Sequence, residues 1–194
     1  MEKINIGTNV SPYPMPVSLL GAMVGGRINF MAVAWLARVN YKPAIMAVAI
    51  NRRHFTTPGI RENGCFSVNF PSADMVVETD YCGMVSGRVA DKSGLFEVFY
   101  GELENAPMIK KCPLCLECRL IDTVALPNNE LFLGEIVGAY TEERYLTDGR
   151  PDIQKMNPLV LSMPDNSYWT VGAHAGTAWE AGKKLKQKRK SESD

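Results

Sequence analysis

A chain of 194 residues is long enough for one domain with a proper core, and 46% apolar residues is an ordinary share for a globular protein. Lys plus Arg and Asp plus Glu both number 21, so the formal net charge is zero and gives no reason to propose nucleic acid or an anionic membrane as a partner. No run approaches the ~18 consecutive apolar residues of a membrane span, the first residues lack the basic-then-apolar form of a signal peptide, and five cysteines is an odd count for a secreted disulfide framework, so a reducing cytoplasm is the expected location.

Along the chain, Ser11-Pro12-Tyr13-Pro14-Met15-Pro16 carries too many prolines for a helix or a central strand and reads as an extended lead-in. Residues 17–24 are a strand candidate, and Gly25-Gly26 is a hairpin turn into the next run. Gly25-Gly26-Arg27 lacks G-x-G-x-x-G spacing and no helix follows it, so no Rossmann unit is expected. Two apolar runs, 29–35 and 43–51, flank Tyr41-Lys42-Pro43, and each is short enough for a strand. If side chains alternate across the first run, Asn29, Met31, Val33 and Trp35 share one face. Trp35 then either rims an aromatic ligand or packs in the core. Ala32, Ala34, Ala47 and Ala49 leave room beside the backbone, as a flat ligand needs.

After the second run comes the cationic turn Arg52-Arg53-His54-Phe55-Thr56, then a short helix expected over 58–62. Thr57 is the expected N-cap and Pro58 the first helical residue. A helix N-terminus beside Arg52, Arg53, His54 and Thr56 is a seat for a phosphate; the plainer reading is two core strands joined by a solvated basic turn.

Residues 65–70 are a further strand, and Ser72-Ala73-Asp74 caps a helix in which Val77, Tyr81, Met84 and Val85 share a face. Residues 85–94 form a polar loop. Residues 114–124 and 131–140 form a hairpin about Pro127-Asn128-Asn129. Glu135 is expected to face solvent. Residues 147–157 read as irregular, 159–161 and 168–171 as short strands, and 177–188 as a last helix ending in a basic tail. Many strand-length segments, few long helices and abundant turn residues predict a mainly β fold with short flanking helices, a barrel. One domain over residues 1–182 and a tail over 183–194 are expected.

Several runs, in order, resemble the flavin reductase-like FMN-binding proteins, and most closely their flavoredoxin branch. They are 29–35, the 51–56 turn followed by Ile60, Phe66-Ser67-Val68-Asn69, 82–88, Asp91-Lys92, Gly94-Leu95, 112–118 and 131–137. The resemblance implies an FMN-binding split β-barrel, a homodimer with FMN near the interface, and NAD(P)H or a redox partner protein as electron source or sink. It implies that Arg53, His54, Thr56, Thr57 and Lys92 hold the phosphate. Asn29, Phe30, Met31, Ala32, Ile50 and Asn51 would edge the flavin ring, with Trp35 against it; Ser67, Asn69, Ser86 and Asp91 join the candidate site through the matching runs. Related split barrels take pyridoxine phosphate or haem instead.

Cys112-Pro113-Leu114-Cys115-Leu116-Glu117-Cys118 invites a metal or iron–sulfur reading. Neither Cys65 nor Cys82 lies at a recognisable fourth-ligand spacing. As a strand, Cys112, Leu114, Leu116 and Cys118 share one face and Cys115 the other, so the thiols are expected to be structural, with no metal. His54 and His174 pair with no nucleophile in a known local signature.

Overall fold

The structure, a computed structural model, describes residues 1–183 and 185. Its strands are β1 (Met15–Pro16), β2 (Ser18–Val24), β3 (Arg27–Val33), β4 (Leu36–Asn40), β5 (Ile45–Asn51), β6 (Cys65–Phe70), β7 (Val98–Phe99), β8 (Met108–Ile109), β9 (Leu114–Ala125), β10 (Asn129–Tyr140), β11 (Leu146–Thr147), β12 (Arg150–Pro151), β13 (Leu159–Ser162) and β14 (Ser167–Thr170). Its helices are α1 (Thr56–Asn63), α2 (Val76–Met84) and α3 (Ile153–Met156). Seven strands make one antiparallel sheet in the order β3-β2-β6-β9-β10-β5-β4; β1-β13-β14 form a smaller sheet.

β3 and β4 are opposite edges of the large sheet, yet only Ala34 and Trp35 separate them in the chain. Two residues span at most about 10 Å between flanking strand ends, so the sheet has to curl until its edges nearly meet. Trp35 O already accepts from Ala49 N of β5 (2.9 Å). The edges approach without pairing to each other, which is a split barrel. Its interior is one apolar cluster drawn from both halves of the sheet, including Leu20 and Ala22 of β2, Val48 and Ile50 of β5, Phe66 and Val68 of β6, and Phe132 of β10. A second cluster, including Leu19, Phe30, Met75, Cys82, Ile109 and Cys115, lies on the outer side of the sheet.

Local chemistry accounts for most elements. Gly25 and Gly26 both have positive φ (55° and 75°), as the tight β2–β3 turn demands. The β9–β10 hairpin bends at register shifts beside Gly134 and Gly138. A Cβ at Gly134 would come within 2.6 Å of the Phe66 ring, so glycine there lets the core aromatic sit against bare backbone.

Several expectations need correction. Helix α1 starts at Thr56, not Pro58, and its N-cap is Phe55 with no side-chain capping bond. Thr57 is therefore inside the helix, its hydroxyl donating to Asn51 O (3.1 Å). Pro58 is still tolerated because first-turn N–H groups have no intrahelical acceptor. The strand run from Asn29 stops at Val33, so the face alternation does not reach Trp35, which is 53% exposed rather than core. Strand β4 had no sequence signature, because nearly all of it is exposed and no apolar alternation is required. On α2 the buried face is Thr79 and Cys82; Val77, Tyr81 and Met84 point to solvent. Strand β9 begins only at Leu114, so Cys112 sits in the preceding turn and joins Cys115 in the outer cluster, away from Cys118 in the interior. The three thiols thus do not converge on one point. Glu135 is half-buried rather than fully solvated. The stretch read as irregular holds β11, β12 and α3, the last capped by the Asp152 carboxylate. The predicted last helix is turns over 178–182, and residues 184 and 186–188 of it, like most of the basic tail, lie outside the described residues.

Glu117, read only as part of the cysteine motif, is fully buried on the outer side of β9. Its carboxylate accepts from Tyr140 OH (2.5 Å), Glu102 N (3.1 Å) and Leu103 N (3.0 Å), tying the 101–103 loop to the barrel. Burial pushes its pKa up, but these donors and Arg119 outweigh it and hold the carboxyl below its usual range. The same bond pushes the Tyr140 phenol up to about 12. A depressed carboxyl pKa stabilises the fold above the unfolded value, and that contribution is lost as pH falls through the folded value. Glu117→Gln is therefore expected to cost about 1.5–3 kcal/mol in urea unfolding at pH 7. The gap to the parent protein should shrink steadily as the titration is carried into acid.

Candidate active site

Where the barrel edges approach, two hollows adjoin and share Met31, Ala32 and His54 as common lining. The first, about 220 Å³, is the more polar of the two, with Asn29, His54, Thr56, Ser86 and Lys92 in its lining. Asn29 of β3 and Thr56 at the start of α1 meet there, Asn29 Nδ2 donating to Thr56 Oγ1 (2.8 Å). The last turn of α2 supplies the opposite wall, from Cys82 to Val85, followed by Ser86 and Gly87.

Lys92 closes this hollow. It is only 3% exposed, and its ammonium donates to Val85 O (2.9 Å) and Cys82 O (3.4 Å), carbonyls left over at the α2 C-terminus. Desolvation lowers its pKa. No carboxylate lies within salt-bridge distance of it among the described residues. A buried cation held only by carbonyl dipoles favours an anionic ligand. Arg27, stacked over the Phe55 ring at 5.6 Å, adds positive charge near the same wall. Partial burial lowers the His54 pKa.

The second hollow, about 350 Å³, is an apolar trough. Small residues Ala32, Ala34 and Ala49 line it, with Ile50 and Asn51 along one side and Trp35 on the rim. Asn51 organises the turn below: its Oδ1 accepts from Arg53 N (3.0 Å) and its carbonyl from His54 N (3.0 Å). Glu130 ties that turn to the hairpin by ion pairs to Arg61 and Arg52.

Of the candidates from sequence, the fold brings together Asn29, Met31, Ala32, Trp35, Ile50, Asn51, His54, Thr56, Ser86 and Lys92. It puts others elsewhere. Phe30 faces the outer cluster, edge-on to Phe96. Arg53 is exposed and lines neither hollow, and Thr57 lies buried behind the turn. Asp91 is exposed and accepts from Ser93 N (2.9 Å). Ser67 and Asn69 are fully buried and spent on structure: Ser67 Oγ donates to Pro107 O, and Asn69 Oδ1 accepts from Ile109 N (3.0 Å). Phe55, Gly83, Gly87, Asn129 and Met163 line the hollows without having been singled out. The glycines sit in a run already matched to a family, but Asn129 and Met163 carry no local signal.

A family model described as a flavin reductase like domain matches residues 10–161. The chain is similar to the crystal structure of flavoredoxin from Methanosarcina acetivorans, with 60% identity, covering 95% of this chain and 100% of that one, at a TM-score of 0.94. It is similar to flavoredoxin of Desulfovibrio vulgaris (Miyazaki F), with 32% identity, covering 94% and 100%, at a TM-score of 0.87. An uncharacterized protein from Aeropyrum pernix is 30% identical over 152 residues, 76% of this chain, and the match spans 57% of that relative.

Gly87 gives a direct test of the polar hollow. A Cβ there would overlap Asn29 Oδ1 and the Phe55 ring. Gly87→Ala is expected to push the 85–92 loop outward and weaken anion or ligand binding by about tenfold or more, with a loss of about 1–3 kcal/mol in stability. Isothermal titration beside thermal melts checks both.

Proposed function

Because the chain belongs to the flavin reductase-like family, we propose that it is an FMN-binding flavoprotein that transfers electrons. The observation that carries this reading is the pairing of the two hollows: a polar end closed by the buried, carboxylate-free Lys92, continuous with a flat, small-residue trough rimmed by Trp35. A phosphate suits the first and an aromatic ring system the second. The similarity to two flavoredoxins supports the same choice.

On this reading Lys92, Thr56, His54 and Ser86 hold the phosphate end. Lys92 supplies fixed charge, and Thr56, oriented by Asn29, supplies a hydroxyl. Met31, Ala32, Ala49, Ile50 and Asn51 form the ring seat, and Trp35 flanks it. The bound flavin supplies one- and two-electron redox chemistry; the protein supplies binding, orientation and electrostatics. No side chain in the hollows needs to act as acid or base for that task. We further propose a homodimer in the reducing cytoplasm.

A second reading rests on the shape of the trough. Trp35 and Met163 line it beside the small residues, and a flat second ligand such as a nicotinamide stacked there would make the protein an NAD(P)H-dependent flavin or ferric reductase rather than a carrier serving a protein partner. Mixing the FMN-loaded protein with NADH and NADPH separates them. Fast bleaching of the yellow colour supports the reductase; bleaching only by a reduced partner protein supports the carrier.

FMN is expected to bind about 10–100-fold more tightly than riboflavin, as charge-assisted hydrogen bonds worth roughly 1.5–3 kcal/mol imply. Lys92→Met should erase most of that preference while leaving riboflavin affinity nearly unchanged. Equal affinities of the parent protein for the two would overturn the phosphate assignment. Trp35→Phe is expected to brighten bound-flavin fluorescence and shift the redox potential with little change in Tm, since Trp35 is half-exposed and carries little core packing.

A further inference from the structure

After β14 the chain leaves the body. Residues 171–183 form an arm with a defined course. Gln154 Nε2 donates to Gly172 O (3.3 Å), and Glu180 N and Ala181 N donate to Thr177 O (3.2 and 3.0 Å). Every residue from 171 to 183 is nevertheless exposed. Trp179 is 92% exposed and sits at φ 63°, a backbone conformation that bulky residues avoid. Nothing among the described residues of its own chain covers this indole.

The body offers a matching bare surface. A shallow groove of about 800 Å³ is lined by Tyr13, Pro14, Pro164 and Trp169, and Tyr13 and Trp169 are each 58% exposed. Flat aromatic and proline walls suit an indole. Thr170, the residue from which the arm departs, itself lines the groove. Trp179 is nevertheless not among the residues that line the groove of its own chain.

We infer that the groove is filled by the arm of a second copy of this chain, exchanged reciprocally about a two-fold axis. Exchange satisfies both bare surfaces at once and closes on itself, as a dimer does. The zero formal net charge imposes no long-range repulsion between copies. The arm is slender and locally neutral, being rich in Gly and Ala, with Lys183 paired to Glu180 (2.6 Å). The groove also borders the trough: Pro164 follows Met163, which lines the trough, and Tyr13 OH donates to Met163 O. The partner's Trp179 would thus hold the segment that carries Met163. Only this last step rests on the proposed flavin function.

Sedimentation velocity on the flavin-free full-length protein across a dilution series tests the exchange. The parent is expected to be a dimer, and Trp179→Ala to raise its dissociation constant by at least about tenfold with unchanged circular dichroism. A monomeric parent, or an unchanged constant in the variant, would overturn the inference. Trapping gives a second arm. Tyr13→Cys and Trp179→Cys chains, mixed and mildly oxidised, should form a covalent heterodimer, since each carries only one of the new thiols. Failure of two folded variants to cross-link, or a double variant that cross-links within a single chain, also overturns it. Repeating the trapping with FMN keeps the two readings apart: a cross-linked dimer that binds no FMN would sink the flavin reading and leave the exchange standing.

Discussion

The two-residue crossover at Ala34-Trp35 is the constraint on which the rest of this molecule depends. It joins opposite edges of a seven-stranded sheet, so the sheet cannot stay open. Curling brings β3 and β5 close enough for their small residues to line one trough, and leaves an interior that both halves of the sheet fill. Because the edges approach without a hydrogen-bonded ladder, the seam stays open as the two adjoining hollows. A longer connection would relieve the closure and, with it, the juxtaposition of Met31 with Ile50 and Asn51. The shape of the trough is therefore a by-product of chain connectivity more than of any one side chain.

Two buried carboxylates fix flanking segments to the sheet. Glu117 pins the 101–103 loop to β9 and β10, and Glu130 pins the 51–55 turn and α1 to the hairpin. Both sit within strands, where a charged residue is costly unless its partners are supplied. Glu102, Leu103 and Arg52 among their partners lie outside strands and helices, so the strands help dictate where those loops lie. Gly59 completes the arrangement, since the space a Cβ would take is filled by Met23 O and α1 can press directly on β2.

Much of the architecture was legible from residue order alone. Proline clusters, the Gly25-Gly26 turn, the 114–140 hairpin and the density of strand-length apolar runs all point to a β-barrel with short helices. What was not legible has physical reasons. Strand β4 is almost wholly exposed and needs no apolar period. The helical face at Val77, Tyr81 and Met84 has the periodicity of a buried face but looks outward, because period alone does not say which side meets the body. Ser67 and Asn69 match a family run yet serve as struts, and a matching run does not separate struts from ligand contacts. Lys92 entered through resemblance; only the fold reveals that its ammonium rests on the α2 C-terminal carbonyls. Asn129 and Met163 reach the trough from distant parts of the chain, which no local pattern foretells.

Cys82 forms part of the polar hollow's wall. Burial pushes its thiol up to about 11, even with the Lys92 charge nearby pulling the other way. The thiolate is the sulfur nucleophile, so across physiological pH this wall presents mainly an S–H group, a weak nucleophile. The same burial makes Cys82 a slow target for alkylating reagents, and its protection from them would report whether the α2 end of the hollow is closed.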